Sequence, residues 1–361
     1  RALSSCLSSL RRSFGNYNTE WGVPASIIGE EFSGTKESGL LKLSLRGYLR
    51  VLGRGLRLLL TSQENYPRWL VLEMALDRPG DLTYLTKIAP PDIAILTNVS
   101  ESHLGFFRNR EHLRAEKGEL LRGIKKGGTA ILNADDPSTY FYQREMRGQD
   151  INVITFGQKE GADFRLEEIE QGEEYLRFCL SHHRERRVVT LPVLGRHFAW
   201  AGASALAVVS LLGCDWDKAI AALSKLRLAQ HRMQKLKLGS LLVIDDTYNA
   251  SYDSFREALW TLNQIRGERR RVGIIGGIHE LGKFAPEIHR RLGRLLGGQV
   301  DFLVIIGPEA IWTREGALAA GLSEDKIKIL PPEEGRKALE YLQEGDAVLF
   351  KASRTRELDK L

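Results

Sequence analysis

Three side chains with the chemistry to bind a metal ion or a phosphate group follow one another in the first third of the chain. Glu73 closes an apolar run, His103 lies just past the β-prone run 93–96, and Lys117 lies on a charged segment with helical spacing. A carboxylate suits a hard cation such as Mg²⁺, a histidine can ligate a metal, and a lysine can meet phosphate oxygens. His103 and Lys117 also have ordinary interpretations. An isolated histidine is more often a packing or capping residue, and a lysine on a helix is usually solvated.

The elements around these residues predict an α/β fold whose parallel strands end at a common edge. The separation of Glu73 and His103 (103 − 73 = 30 residues) leaves room for one βα unit. Both side chains would then lie at the edge where open α/β sheets bind ligands. Residues 129–137 predict another strand ending in a polar turn, which Asn133 and Asp136 would stabilise. Alternating patterns between residues 151 and 193 predict outer strands of the sheet.

Two segments near the start of the chain have helical spacing. Residues 2–14 place three leucines and Cys6 on one side, which predicts that the chain begins in a helix. Residues 38–60 carry a lysine or arginine every four positions from residue 42 to residue 54, beside a stripe of leucines. This pattern predicts a basic amphipathic helix. Such a helix either packs on its own domain with a solvated basic face or associates with a membrane surface.

Composition limits the classes of protein to which the chain can belong. Its 361 residues, 43% of them hydrophobic, can bury substantial cores, and the length favours two domains. No apolar run approaches the ~20 residues of a membrane span. Cys6, Cys179 and Cys214 are widely separated, which indicates neither a disulfide framework nor a CxxC metal site. The net charge is +6, and the charged residues are interspersed along the chain rather than clustered. This pattern favours anionic small substrates over nucleic acid. We expect a monomer in a reducing cytoplasm.

The stretches around His103 and Lys117 resemble the central domain of the Mur ligases, the ATP-dependent amide-forming enzymes of peptidoglycan synthesis. They read TNVSESHL and, further on, EHLRAEKGELL. The resemblance extends over nearly the whole chain, including IDDTYNASYDSF in residues 244–255 and KASR from Lys351. It implies a central ATPase-type domain with a parallel sheet in residues 1–230 and a C-terminal Rossmann-like α/β domain in residues 231–361.

The same resemblance implies an activity and its cofactors. A peptide carboxylate of a UDP-N-acetylmuramoyl-tripeptide would be activated by ATP and Mg²⁺ as an acyl phosphate, and D-alanyl-D-alanine would supply the attacking amine. Glu73 and His103 would hold Mg²⁺, and Lys117 would join them as a ligand if carbamylated. The nucleotide-binding residues implied are Asn133, Asp136, His197, Arg232 and Asp246. The substrate-binding residues implied are Asn16, Asn18, Tyr248, Asn249, Lys351, Ser353 and Arg354.

The chain departs from the family pattern at several points. No G-x-x-x-x-G-K-[ST] phosphate-binding loop occurs in it, so the sequence was cut after that loop or the protein lacks it. We expect the chain as given to be inactive for this reason. Phe198 and Ala201 stand where asparagines that hold adenine are usual, and Gly277 replaces an aspartate. Two alternatives therefore stay open: a catalytically silent Mur-like binding scaffold, and a ligase of the same fold with another acid and amine, such as a folate or amino-acid polymer synthetase.

Overall fold

The computed structural model describes residues 1–30, 45–61 and 66–361, which form two α/β halves, each built on a six-stranded sheet. The elements of the first half end with the helix Trp216–Leu223, and those of the second half begin with the strand Gln234–Leu238. The strands of the first half are β1 (Leu10–Arg12), β2 (Trp69–Val71), β3 (Ile93–Leu96), β4 (Thr129–Asn133), β5 (Asn152–Gly157), β6 (Phe164–Gln171), β7 (Leu176–His182) and β8 (Glu185–Leu191). Its helices are α1 (Gly22–Ile28), α2 (Leu45–Leu60), α3 (Asp81–Ile88), α4 (Arg110–Arg122), α5 (Pro137–Tyr140), α6 (Tyr142–Arg147), α7 (His197–Leu211) and α8 (Trp216–Leu223).

The second half alternates strands and helices in the manner of a Rossmann-like domain. Its strands are β9 (Gln234–Leu238), β10 (Leu241–Asp246), β11 (Arg271–Gly276), β12 (Phe302–Ile306), β13 (Ile327–Leu330) and β14 (Ala347–Lys351). Its helices are α9 (Tyr252–Ile265), α10 (Ala285–Gly297) and α11 (Ala310–Ala319). Single turns of 3₁₀ helix at Leu104–Phe106 and Gly282–Phe284 lie on facing loops of the two halves.

Both large sheets are mainly parallel. In the first, β3, β4, β5 and β6 run parallel in that order, and the antiparallel strands β7 and β8 extend the outer side. In the second, the order is β13-β12-β11-β14-β10-β9, with β9 antiparallel at one edge. Parallel strands joined by helices are covered on both faces, and β4 is buried at every position. The predicted α/β fold and the predicted outer strands of residues 151–193 are confirmed.

The prediction of a helix over residues 2–14 is wrong. Only Leu3–Ser5 form a helical turn, and residues 10–12 form β1, which pairs in parallel with β2 in a separate two-stranded sheet. Glu73 follows this small sheet, whereas His103 follows β3 of the six-stranded sheet. The expectation that the two residues lie at one edge of a single sheet is therefore also wrong.

The predicted basic helix is present as α2, Leu45–Leu60, and the predicted residues 38–44 lie outside the described ranges. Among the described residues, no helix is long and apolar enough to cross a membrane. The largest apolar core joins the two halves, since it contains Leu104 and Leu113 of the first together with Phe255 and Leu281 of the second. The loops that follow the strands of both halves thus face one another across a packed interface.

Candidate active site between the two halves

Lys117 lies at the carboxyl end of β3 with its amine directed at the loop after that strand. It is carried by α4, whose first turn is capped by the Asn109 side chain, which accepts the backbone N–H of His112 at 2.8 Å. The Lys117 Nζ donates to the backbone oxygen of Asn98 at 3.3 Å. Burial lowers the pKa of Lys117 to about 8, while the carboxylates of Asp136 and Asp253 act in the opposite direction. A partly desolvated amine at a strand end suits phosphate binding or a reaction of the neutral amine.

His103 occupies a strained turn that meets the second half directly. Its φ of 62° is left-handed, and that of Glu280 across the interface is 61°. The ring Nδ1 contacts the Glu280 carboxylate and lies 3.7 Å from an Asp77 oxygen. The Gly105 N–H donates to the Glu280 backbone oxygen at 2.8 Å. Because two acidic groups surround its ring, His103 is held at the junction of both halves.

Glu73 is tied to the asparagine loop rather than to His103. Its Oε1 accepts the Asn18 side-chain amide at 2.9 Å, and its backbone N–H donates to the Ser13 hydroxyl at 3.0 Å. The Asn16 side-chain amide contacts the Tyr248 hydroxyl in the second half. The structure therefore brings Asn16, Asn18, Glu73 and Tyr248 together. His103 is paired instead with Asp77 and Glu280.

No ready-made cluster for a metal ion is present among the described residues, where no group of three or more His, Cys, Asp or Glu side chains has a metal-binding arrangement. This is compatible with Mg²⁺, which is commonly bound by one or two carboxylates together with waters and substrate phosphates. Glu73 is exposed and offers such an oxygen ligand, and His103 would have to exchange its contact with Glu280 for a metal.

Lys351 and Asp246 form a buried ion pair at adjacent strand ends of the second sheet. The Lys351 side chain is 1% exposed, its ammonium contacts Asp246, and it donates to the backbone oxygen of Asn249 at 2.9 Å. Asp246 also accepts the Met233 N–H at 3.1 Å. The neighbouring Arg232 guanidinium stacks 4.0 Å from the centre of the Tyr248 ring. Four predicted site residues, Arg232, Asp246, Tyr248 and Lys351, thus line one end of the second sheet.

Ser353 and Arg354 follow Lys351 but have mainly local contacts. The Ser353 hydroxyl accepts the His279 N–H at 3.0 Å, and Arg354 pairs with Asp359 at 2.9 Å. The Arg354 side chain is exposed. A substrate would have to displace Asp359 to be bound by this guanidinium.

Asn133 and Asp136 are used to shape a turn. Asp136 caps α5 by accepting the Ser138 N–H at 2.8 Å, and its other oxygen accepts the Val99 N–H at 2.7 Å. Asn133 donates to the Thr97 backbone oxygen at 2.9 Å. These contacts favour the turn-stabilising alternative for both residues. They also fix the loop at residues 97–99, which presents the Asn98 oxygen to Lys117.

His197 begins α7 in a close-packed position. Burial lowers its pKa. A Cβ added at Gly195, whose φ is 105°, would lie 2.5 Å from the imidazole ring, so glycine is required there. The Phe198 ring centre lies 4.2 Å from that of His197. Arg196, one residue before the helix, forms a two-point ion pair with Glu257 of α9, at 2.8 and 3.1 Å, and so joins the halves.

The space left by Gly277 is filled by a carboxylate from another element. A Cβ at Gly277 would lie 2.6 Å from an oxygen of Glu309 and 3.3 Å from His289 Nε2. Glu309 pairs with Arg356 at 2.5 Å, so the carboxylate is held in place. An acidic group is therefore present beside this strand end although residue 277 lacks one.

Sequence reasoning missed two acids that lie near the predicted residues, Asp77 and Asp253, and it gave Glu280 no role. Burial raises the pKa of Asp253, which faces Lys117 and Asp136 from the second half. The only local signal for Glu280 was its place in the HELG stretch. Neither it nor Asp253 could be paired with a partner by spacing, because their partners lie in the other half.

Comparison with known proteins identifies the family. The family model of the Mur ligase middle domain matches residues 54–209. The family model described as "Mur ligase, glutamate ligase domain" matches residues 231–354. The chain belongs to the Mur ligase family. The resemblance stated from the sequence is thereby confirmed, while the boundary between residues 230 and 231 stays a prediction.

Several relatives of this Mur ligase chain carry the same name. It is 28% identical over 313 residues to the UDP-N-acetylmuramoyl-tripeptide--D-alanyl-D-alanine ligase of Bacillus subtilis, covering 85% of this chain and 66% of the relative. It is 31% identical to the ligase of that name from Mycobacterium tuberculosis strain H37Rv, covering 79% and 60%. The chain thus spans about two thirds or less of the length of these curated relatives.

Solved structures give the same result for the fold. The MurF structure from Acinetobacter baumannii superposes with a TM-score of 0.79 at 26% identity, covering 99% of this chain and 70% of that one. The MurF ligase of Thermotoga maritima, solved in complex with ADP, has a TM-score of 0.76 at 29% identity, covering 99% and 74%. A pseudomurein peptide ligase type C from Methanothermus fervidus matches at 17% identity with a TM-score of 0.60, covering 82% and 68%, which shows a shared fold alone.

Proposed function

We propose that this chain forms the nucleotide- and substrate-binding halves of an ATP-dependent ligase that joins D-alanyl-D-alanine to UDP-N-acetylmuramoyl-tripeptide. The observation that carries the proposal is that Lys117 of the first half, which donates to the Asn98 backbone oxygen after β3, lies within electrostatic range of Asp253 of the second half. The MurF relatives support the choice of substrates, since their printed name states them. Cytoplasmic location and a monomeric state belong to the same proposal.

The reaction needs two transfers within one closed site. The tripeptide carboxylate attacks the γ-phosphorus of ATP, the bond to the bridging oxygen breaks, and ADP leaves with the acyl phosphate formed. The amine of D-alanyl-D-alanine then attacks the acyl carbon, inorganic phosphate departs, and the amine loses a proton as the amide forms. The Lys117 ammonium would stabilise charge on the transferred phosphoryl group. Packing of the two halves would exclude water, which would otherwise hydrolyse the acyl phosphate.

Mg²⁺ would neutralise phosphate charge when bound, and Glu73 and His103 are the residues we propose to hold it. Asn18, which donates to Glu73, would orient that carboxylate. If Lys117 is carbamylated, it would act as an anionic metal ligand instead of as an ammonium group. The lowered pKa of about 8 supports this step, because CO₂ reacts with a neutral amine and a substantial fraction of this amine is neutral near that pH.

For the nucleotide, we propose Arg232 and Asp246 on the second half and His197 on the first. Asn133 and Asp136 would act through the loop they hold rather than by contact. Asn16, Asn18, Tyr248, Asn249, Lys351, Ser353 and Arg354 remain the proposed substrate-binding residues. Phe198 would cover the base where the family pattern has asparagine, since every nucleobase offers a face for stacking.

The test measures turnover by the complete gene product with ATP, Mg²⁺, UDP-N-acetylmuramoyl-tripeptide and D-alanyl-D-alanine, with the amide product identified by mass spectrometry. We expect Lys117→Ala to lower kcat by about 10²–10³-fold, the usual effect of removing one stabiliser of transition-state charge. Lys125→Ala is the matched control, because Lys125 follows the same helix and pairs at the protein surface with Asp92 at 3.0 Å. Its turnover should equal that of the wild type.

Other outcomes distinguish the alternatives. Equal turnover of Lys117→Ala and wild type would remove Lys117 from the site. Product formation with L-glutamate in place of D-alanyl-D-alanine would favour the folate or polymer type of ligase. Binding of the muramoyl peptide without any ATP consumption would leave the silent scaffold as the function.

A further inference from the structure

Helix α2 exposes a continuous stripe of leucines to solvent. Leu49, Leu52, Leu56, Leu59 and Leu60 are 60%, 68%, 57%, 82% and 74% exposed. At 100° per residue these five positions fall within a sector of about 100° on the helix surface. Scattered single apolar side chains are normal on a protein surface, whereas a contiguous stripe of large ones marks an interaction site.

The opposite side of α2 is attached to the first half. The Arg54 Nε donates to the Ile28 backbone oxygen at 3.0 Å, and the same guanidinium pairs with Glu30 at 3.4 Å. Val51 and Leu58 on this side are half-buried. Since α1 ends at Ile28, the helix is fixed to the end of α1 with its leucine stripe turned away from the protein.

The charge on α2 has a single sign. Its sequence LRGYLRVLGRGLRLLL contains four arginines and no acidic residue. Arg50 and Arg57 are exposed beside the leucine stripe, and no carboxylate of the described residues lies within salt-bridge distance of either. A partner with negative charges at its surface and an apolar layer beneath them is complementary to this helix. A second copy of the same helix is not, because the cationic flanks would oppose one another.

We propose that α2 binds the surface of an anionic lipid bilayer. The helix would lie in the plane of the interface with its leucines in the acyl boundary and Arg50 and Arg57 at the lipid phosphates. Its 16 residues are fewer than the ~20 needed to span a bilayer, which excludes a crossing orientation. This inference is independent of the proposed ligase reaction.

The test uses the 361-residue chain and vesicles of phosphatidylcholine with or without about 30% phosphatidylglycerol, since anionic lipid should supply the electrostatic part of binding. Co-sedimentation should recover the chain with the anionic vesicles and much less of it with the neutral ones. The variant Leu52→Ser/Leu56→Ser/Leu59→Ser should reduce binding to the anionic vesicles at least about tenfold, because three inserted side chains are lost. Arg50→Glu/Arg57→Glu should abolish the preference for anionic lipid.

The matched control is Leu236→Ser/Leu238→Ser/Ile311→Ser, which removes three other exposed apolar side chains, 41%, 57% and 55% exposed, from β9 and α11. It should bind like the wild type. Circular dichroism should show that all variants keep their fold, since none of the changed leucines of α2 is buried.

Four results would overturn the proposal. The first is absence of wild-type binding to both kinds of vesicle. The second is equal binding by the leucine variant and the control. The third is a wild-type dimer in light scattering that the leucine variant converts to a monomer, which would assign the stripe to a second copy. Loss of vesicle binding in a longer product of the same gene would likewise contradict it, by showing that another segment covers the stripe.

Discussion

Lys351 is a lysine that the protein buries almost completely. Its ammonium is compensated by Asp246 and by the Asn249 backbone oxygen, and the ring centre of Phe255 lies 5.4 Å away. A buried charge is tolerated when it is paired and hydrogen-bonded, and removal of one partner leaves the other uncompensated. Lys351 therefore couples the end of β14 to the end of β10, in addition to its proposed contact with substrate.

We predict that Lys351→Met lowers the free energy of unfolding by about 3–5 kcal/mol, the usual cost of breaking a buried ion pair. Urea unfolding followed by circular dichroism measures the change. The control Lys360→Met removes an exposed pair with Glu357 and should change stability by less than about 1 kcal/mol. The double variant Lys351→Met/Asp246→Leu should recover much of the loss. Equal changes for Lys351→Met and the control would refute the assignment of a buried pair.

At the scale of elements, α4 is the helix that matters most for the site because it carries Lys117. The Asn109 side chain satisfies one of the free N–H groups at its first turn. We predict that Asn109→Ala lowers the free energy of unfolding by about 1 kcal/mol, whereas Asn109→Asp retains the cap and is favoured by the helix dipole. Urea unfolding of the three proteins distinguishes these outcomes. A free energy of unfolding unchanged in Asn109→Ala would show that the cap contributes nothing.

The contrast between α4 and β1 explains how far elements could be predicted from the sequence. The charged segment around Lys117 was predicted from its helical spacing, and the structure has the helix α4 there, because the period and the charges of this segment are local signals. Residues 10–12 carry leucine spacing typical of a helix, yet they pair with residues 69–71. That partner lies far along the chain. Pairing with it overrides the local helical preference of residues 10–12, and only the local preference is visible in the sequence.

At the scale of the whole molecule, the two halves share one apolar core and one set of facing loops. The motif residues His103 and Lys117 could be assigned to strand ends from their own surroundings. Their partners Glu280 and Asp253 could not, because the relative placement of the halves is set by packing of Leu104 against residues such as Leu281. The chemistry of the site was therefore predictable in part, while its pairing across the interface was not.

Gly105 lies where the backbones of the two halves approach one another closely. A Cβ there would lie 2.6 Å from the Gly282 nitrogen and 2.7 Å from the Glu280 oxygen, and both are backbone atoms that cannot rotate away. We predict that Gly105→Ala separates the facing turns, breaks the 2.8 Å bond from the Gly105 N–H to Glu280, and lowers the free energy of unfolding by about 1–3 kcal/mol. Small-angle scattering should show a larger radius of gyration, and limited proteolysis should cleave between the halves faster.

The control for this change is Gly148→Ala at the end of α6, where an added Cβ meets nothing closer than 3.5 Å and φ is −74°. That variant should keep the wild-type scattering profile and cleavage rate. If Gly105→Ala also keeps both, the contact between the turns at 105 and 282 does not hold the halves together. The closed arrangement of Lys117 and Asp253 would then depend on the apolar core and on the ion pair of Arg196 with Glu257. In that case Arg196→Ala should produce the opening that Gly105→Ala did not.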